Sequence, residues 1–244
     1  MPVTYLENRS HFPHTDLKMV LQDYKDIIAT IATIVTIIQF LSGIDICRKI
    51  IKQGSTGDIS GFPFVGGVFS TSTWLTYSLL LWDASMSITN AVGLTLQVIY
   101  LSTYVRYCIA SGPWRTVRKQ MLITTLVVAA IQYYVFLSDD ENETIKTHIG
   151  LMCCLGSIIF CASPLVSLAE VFRTQSTDML PFPLIFATFL VSGLWCLYGI
   201  IIQNSFVKYP NLIGFGLSGF QLFLFIVYPS KRKVSGVTGY PEIR

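Results

Sequence analysis

From about residue 27 onward, long apolar stretches alternate with short polar or charged breaks. Seven stretches cover approximately 27–47, 62–82, 86–107, 121–138, 148–171, 181–202 and 209–228. Each holds about 18–25 residues, enough for a helix rising about 1.5 Å per residue to cross roughly 30 Å of hydrocarbon. The breaks read KQGSTGDIS, WDAS, GPWRTVRKQ, DDENETIK, RTQSTD and QNSFVK, rich in turn formers and charge. The pattern predicts seven membrane-spanning helices after a largely polar leading segment. The first stretch is longer than the apolar core of a cleaved signal peptide and is expected to remain as a span.

The stretches are not independent of one another. WLTYSLLLWDASMSITNAVG, with Trp74, Tyr77, Asn90 and Gly93, returns 121 residues later as WCLYGIIIQNSFVKYPNLIG, with Trp195, Tyr198, Asn211 and Gly214. TGDISGFPF, with Asp58, Phe62 and Pro63, is echoed at an offset of 120 by TDMLPFP, with Asp178, Phe182 and Pro183. The first copy occupies spans one to three and the second spans five to seven. Corresponding spans lie four crossings apart, and an even separation leaves both copies facing the same way. The fourth span has no counterpart and serves as an inverting linker. The expected fold is therefore an all-α membrane protein, two parallel three-helix bundles joined by one helix. Its divisions are a tail at 1–26, a first repeat at 27–107, a linker at 108–147, a second repeat at 148–229 and a tail at 230–244.

Composition removes the soluble alternatives. The 244-residue chain is 52% hydrophobic and 13% charged, about half the charge of a soluble domain, with mean hydropathy +0.58. A net charge of +3 in short flanks gives no surface for nucleic acid. The six cysteines, Cys47, Cys108, Cys153, Cys154, Cys161 and Cys196, all lie in or against apolar stretches, without a repeated CxxC spacing. They are expected as packing residues rather than as disulfides or metal ligands. His11, His14 and His148 sit in the tail or at a span edge, without acid–base or metal spacing. No enzyme activity, metal or cofactor is indicated.

An odd number of spans puts the termini on opposite sides. With the amino terminus outside, the inner segments hold twelve of the seventeen Lys and Arg, from Arg48, Lys49 and Lys52 through Arg115, Arg118 and Lys119 to the carboxyl tail. The positive-inside bias thus predicts a cytoplasmic carboxyl terminus. Two sequons, at Asn8 and Asn142, then fall outside as candidate glycosylation sites.

FLSGIDICRKIIKQGSTGDISGFPF and SPLVSLAEVFRTQSTDMLPFP resemble the paired first-span and loop signatures of the SWEET sugar facilitators, relatives of the PQ-loop proteins. Each half also carries Trp and Asn sixteen residues apart, Trp74 to Asn90 and Trp195 to Asn211, as that family does. The resemblance spans about residues 27–230. It implies a sugar site near mid-membrane between the bundles, with Trp74, Asn90, Trp195 and Asn211 in its walls and Ser70 and Val191 one turn before each Trp. An Asn amide both donates and accepts, as sugar hydroxyls do, and an indole covers the apolar face of a pyranose. Tyr77 and Tyr198 are read as gate or packing residues; Trp82 and Trp114 as interfacial anchors. The plasma membrane is the expected destination, with an internal membrane as the alternative, and the resemblance further implies assembly into small homo-oligomers.

The family carries four prolines near the cytoplasmic ends of its spans. Three are matched here, by Pro63, Pro164 and Pro181; at the first, Ser42-Gly43 replaces Ser-Pro. Proline removes a backbone donor and weakens a helix locally, so these positions are candidate hinges, although Pro63 and Pro181 also suit helix starts. Gly43 keeps the donor and is expected to bend the first span less sharply. Spans two, three, four, six and seven carry no ionisable residue in their central stretches, and Asp45 and Glu170 lie near span ends with Arg48 and Arg173 three residues on. Ion-coupled carriers usually place such groups at mid-membrane, so uncoupled passage of a neutral sugar down its gradient is expected. A PQ-loop-type carrier of amino acids or other small solutes is the alternative. A seven-helix receptor fits less well, since the third span ends in TYVRYC and the seventh lacks Asn-Pro-x-x-Tyr.

Overall fold

The computed structural model describes residues 22–109 and 113–228, the side chains of Ala162 and Ser163 excepted. The sequon at Asn8 and the basic tail after Tyr228 lie outside the described residues. Nine helices make up the described chain: α1 (Lys25–Leu41), α2 (Gly43–Gln53), α3 (Phe62–Leu80), α4 (Ala84–Cys108), α5 (Trp114–Leu137), α6 (Asn142–Phe160), α7 (Ala162–Thr174), α8 (Phe182–Ile201) and α9 (Ser205–Val227). α1 with α2, and α6 with α7, each form one interrupted span, which leaves seven crossings in the expected order.

Three spans start earlier than the apolar runs suggest. α9 begins at Ser205 because the Asn204 side chain caps it, accepting from the Val207 N–H at 3.1 Å. α6 begins at Asn142 with Glu143 in its first turn, where an acidic group suits the helix dipole. α5 begins at Trp114 because the polar RTVRKQ segment is built largely of good helix formers and prolongs the helix beyond the apolar run.

Six spans are long and apolar enough to cross a membrane by composition; α3 falls short because hydroxyls crowd it. It has little need to be apolar, since α4, α5 and α6 pack around it. Its buried Thr71, Thr73, Thr76 and Ser78 donate to carbonyls three or four residues back on the same helix, at 2.7, 2.8, 3.0 and 2.8 Å. Lipid-facing positions are apolar instead, as in Leu122, Ile123, Leu126 and Phe136 of α5.

The repeat reaches the backbone. The α3–α4 and α8–α9 turns each place one residue in the left-handed region, Trp82 at φ 56° and Gln203 at φ 54°. The N–H of Asp83 reaches the Ser78 carbonyl at 3.0 Å, and that of Asn204 the Gly199 carbonyl at 2.9 Å, the same helix-ending bond in both halves. Gly54 (φ 66°) and Gln175 (φ 53°) end α2 and α7 in the same way. Trp82 is exposed at its turn, as an interfacial anchor should be, whereas Trp114 packs into the core around Tyr104.

Within each half the third span lies between the first and second: α4 contacts α1, α2 and α3, and α9 contacts α6, α7 and α8. The halves meet along two seams, α3 with α6 and α1 with α8. Exchanging the halves converts one seam into the other. The linker α5 packs outside α3, where Gln132 donates to Thr76 at 2.6 Å.

The buried apolar residues explain how the bundles stand. At the end carrying the α3–α4 and α8–α9 turns, one cluster draws on both halves and the linker, including Ala32, Tyr77, Ile131, Ile149, Trp195, Tyr198 and Val207. At the opposite end, where Arg48, Lys52, Arg115 and Arg173 lie, the core divides. One cluster there, with Ile50, Phe64, Tyr104 and Val117, belongs to the first half and the linker; another, with Leu168, Val171, Ile185 and Leu224, belongs to the second half alone. The halves share one core at the turn end and part into separate cores at the basic end, where Phe62 still meets Phe160 across the α3–α6 seam at 6.2 Å.

Candidate functional site

The parting opens a cavity of about 620 Å³. Its lining runs from the buried Trp195 and Val207 to the exposed Ile46 and Leu184, so the opening faces the basic end. All six side chains expected to meet a solute line it: Ser70 and Trp74 on α3, Asn90 on α4, Val191 and Trp195 on α8, and Asn211 on α9. No Asp, Glu, Lys, Arg or His is among the described lining residues.

The two asparagines are held alike. Asn90 Nδ2 donates to the Met86 carbonyl and Asn211 Nδ2 to the Val207 carbonyl, each at 2.8 Å. A backbone carbonyl can only accept, so each amide turns its NH₂ to its own helix and leaves Oδ1 as an acceptor for a ligand. The tryptophans are held differently. Both rings stand edge-on to the tyrosine three residues later, with centroids 5.9 Å apart for Trp74–Tyr77 and 5.5 Å for Trp195–Tyr198. Trp195 Nε1 donates to Thr36 Oγ1 at 2.9 Å across the α1–α8 seam. The residue equivalent to Thr36 is Ser157, whose hydroxyl donates to the Cys153 carbonyl at 2.9 Å. Among the described residues the Trp74 indole N–H has no hydrogen-bond partner. One indole ties the halves together; the other remains available as a donor.

Beyond the tryptophans the turn end is sealed by two reciprocal bonds. Tyr198 of the second half donates to Asp83 Oδ2 of the first at 2.6 Å. Tyr77 of the first half pairs with Asn204 of the second, at 2.8 Å from Asn204 Nδ2 and 3.2 Å to its Oδ1. Asp83 and Asn204 stand 121 residues apart and each also caps its own third span; Asp83 Oδ1 accepts from the Met86 N–H at 2.9 Å. Both tyrosines are buried, and Tyr77 meets Phe206 edge-on at 6.1 Å. The latch residues Asp83 and Asn204 were not expected from the sequence, although their offset and their place just before spans three and seven carried the signal.

Both first spans are interrupted at the corresponding level. Near Pro164, the Cys161 N–H reaches back to the Ser157 and Ile158 carbonyls at 3.1 and 3.0 Å, and proline has no N–H for Phe160. At Ser42-Gly43 the break forms without proline. The Ser42 hydroxyl takes the Gln39 carbonyl at 2.7 Å and the Tyr100 hydroxyl the Phe40 carbonyl at 3.1 Å. A Cβ on Gly43 would collide with the Tyr100 ring, so glycine is what lets that ring lie against the break. Pro63 falls in the first turn of α3 and Pro181 caps α8, places where no helical hydrogen bond is lost. A further proline, Pro210, sits inside α9 on the cavity wall. The Phe206 carbonyl that it leaves without a helical partner accepts instead from the Cys154 thiol at 3.6 Å.

The remaining expectations concern the periphery. Among the described residues the six cysteines form no disulfide. Asp45 pairs with Arg48 at 3.4 Å in the open, where such a pair adds little, and the partly covered Glu170 accepts from Arg173 through both oxygens at 3.0 and 2.7 Å, both pairs near the basic end.

A family model described as a sugar efflux transporter for intercellular exchange matches residues 26–111 and 147–233, one match for each bundle. A Drosophila pseudoobscura pseudoobscura protein named sugar transporter SWEET1 is 41% identical over 206 residues, covering 84% of this chain and 90% of its own. A human protein of the same name is 31% identical over 198 residues, covering 81% and 88%. A solved eukaryotic SWEET transporter superposes with a TM-score of 0.74 at 25% identity, over 84% of this chain and 98% of that one. With both repeats matched separately and the seven-span arrangement shared, this chain belongs to the SWEET family.

Proposed function

We propose that this protein carries neutral sugars, mono- or disaccharides, across a membrane by alternating access, without coupling to an ion. One observation carries the reading: a cavity with no charged residue in its described lining, walled by equivalent residues of both halves, latched at one end and open at the other. The acceptors Asn90 and Asn211 and the donor Trp74 suit hydroxyl groups, and the indole faces suit the C–H face of a sugar ring. None of the described lining residues is charged, which favours an uncharged solute over coupling to a proton or cation. Relatives named sugar transporter, and a rice protein named bidirectional sugar transporter that is 27% identical over 213 residues, support the same reading.

With the basic end in the cytoplasm, as the charge bias favours, the structure is the inward-open state of a plasma-membrane carrier. Asn142 then faces outward at the start of α6. Release of the two latch bonds opens the outer end while the divided cores approach each other at the inner end. The breaks at Ser42-Gly43 and at Cys161–Pro164 let the inner half-helices α2 and α7 swing. The test is uptake of radiolabelled glucose or sucrose into vesicles holding only this protein, with Asn90→Ala and Asn211→Ala measured singly. Flux should need no ion gradient and should fall at least tenfold in each variant. Flux that required a proton gradient, or normal flux in both well-folded variants, would overturn the reading.

A further inference from the structure

Seven residues along a helix is nearly two full turns, so Gln97 lies almost directly below Asn90, and Gly67 below Trp74, about 10 Å nearer the open end. Gln97 and Gly67 meet there. A Cβ on Gly67 would sit 2.5 Å from Cδ and Oε1 of Gln97 and 2.9 Å from its Nε2, so the amide lies flat against the bare α3 backbone. Both residues line the cavity, and the Gln97 amide has no hydrogen-bond partner among the described residues. It presents two donors and an acceptor to the cavity.

The second half does not repeat this. At the positions 121 residues on stand Thr188 and Ser218. The Thr188 hydroxyl donates to the Leu184 carbonyl at 2.9 Å and accepts from Gln39 at 2.8 Å. The buried Ser218 hydroxyl donates to the Gly214 carbonyl at 2.6 Å. The Phe160 ring also lines the cavity, packed against Gly66 beside Gly67. A free amide and a neighbouring aromatic ring thus offer a partner for hydroxyl groups and a face for C–H groups, the two surfaces that a sugar ring presents.

We propose that Gln97, seated on Gly67, is a second sugar-contacting station, occupied by sugar moving between the tryptophan–asparagine cage and the open end. The proposal rests on the reading of the protein as a sugar carrier. It assigns to the first half alone a contact that the repeat does not duplicate.

The full-length protein in vesicles, with radiolabelled D-glucose, supplies the test. Gln97→Leu keeps the volume and removes the amide. It should raise KM about three- to tenfold, the effect of one neutral hydrogen bond, and leave kcat within twofold. Gly67→Ala should shift KM the same way, because its methyl displaces the amide, and adding it to Gln97→Ala should change nothing further. An unchanged KM in Gln97→Leu, with flux abolished by Asn90→Ala, overturns the station and leaves the carrier reading standing. A fall in kcat and in melting temperature without a KM change makes Gln97 structural and likewise overturns it. If Gln97→Leu does not fold, an unchanged KM in Gly67→Ala decides against the station. Wild-type protein that moves no sugar defeats the carrier reading, and the station with it.

Discussion

The latch makes a quantitative prediction because its two bonds are equivalent in place and different in chemistry. Tyr198→Phe deletes a hydroxyl that donates to a carboxylate at 2.6 Å; Tyr77→Phe deletes one that pairs with an amide at 2.8 Å. Both variants keep the ring, its packing and the helix caps, since Asp83 still accepts from Met86 and Asn204 from Val207. A hydrogen bond to a charged partner contributes about 1.5–3 kcal/mol and a neutral one about 0.5–1.5 kcal/mol. Tyr198→Phe should therefore shift the equilibrium toward opening of the turn end by about ten- to a hundredfold, and Tyr77→Phe by about two- to tenfold. The exposed turn residues Trp82 and Gln203, one from each half, are suitable label sites. Spin labels at Trp82→Cys and Gln203→Cys, with the half-buried Cys154 and Cys161 changed to Ser, report the opening as a longer distance population in pulsed dipolar spectra. The population should grow in the order wild type, Tyr77→Phe, Tyr198→Phe, double variant. An equal or reversed order of the single variants, or an unchanged double variant, would refute the assignment of the seal to these bonds.

Two further outcomes follow from contacts elsewhere. Gly43→Ala places a methyl in the Tyr100 ring and should destabilise the protein by about 1–3 kcal/mol as overpacking does, read as a lower melting temperature; Tyr100→Ala in the same chain should recover part of that specific loss. At the α5–α6 corner the Tyr134 hydroxyl, 2.8 Å from Asp140, holds that carboxyl below its ordinary range, with Ser138 assisting. A depressed carboxyl contributes stability that is whole above about pH 4 and is lost as pH falls through the folded value. In Tyr134→Phe the Asp140 titration, followed by carboxyl ¹³C shift, should move up toward the ordinary value.

The large features were legible because membrane insertion writes them in composition. Seven apolar runs, a 121-residue echo and a Trp–Asn pair in each half are properties of residue identity and spacing. What was not legible depended on which hydrogen-bond partner each polar group chose. Asp83 and Asn204 read as ordinary turn residues, and only the approach of the other half's tyrosine makes them a latch. Trp74 and Trp195 look interchangeable in sequence. They part company because Trp195 reaches the Thr36 hydroxyl across the α1–α8 seam, whereas Trp74 makes no bond to Ser157, although both hydroxyls donate to the carbonyl four residues back. The bend at Ser42-Gly43 was expected to be softer than its proline-containing counterpart, and the sequence held no sign that Tyr100, nearly sixty residues away, braces it. Helix starts were read late wherever a polar first turn precedes the apolar run, as at Ser205 and Asn142.

A carrier without an energy source needs its two end states close in free energy, a few kcal/mol apart. The arrangement of cores is suited to this. Opening the turn end would uncover part of the shared cluster around Tyr77, Ile149, Tyr198 and Val207 and break both latch bonds. Closing the basic end would cover apolar side chains that now stand exposed there, among them Ile46, Phe62, Phe182 and Leu184. Burial contributes about 25 cal/mol per Å² at either end, so what one end loses the other can offset. The balance need not be symmetric, because the halves are not: the carboxylate latch, the Thr36–Trp195 tie and the Gln97 amide have no true duplicates. A sugar has no symmetry either. Matching an asymmetric ligand with a pseudo-symmetric cage requires that some equivalent positions carry different chemistry, and these three are where it differs.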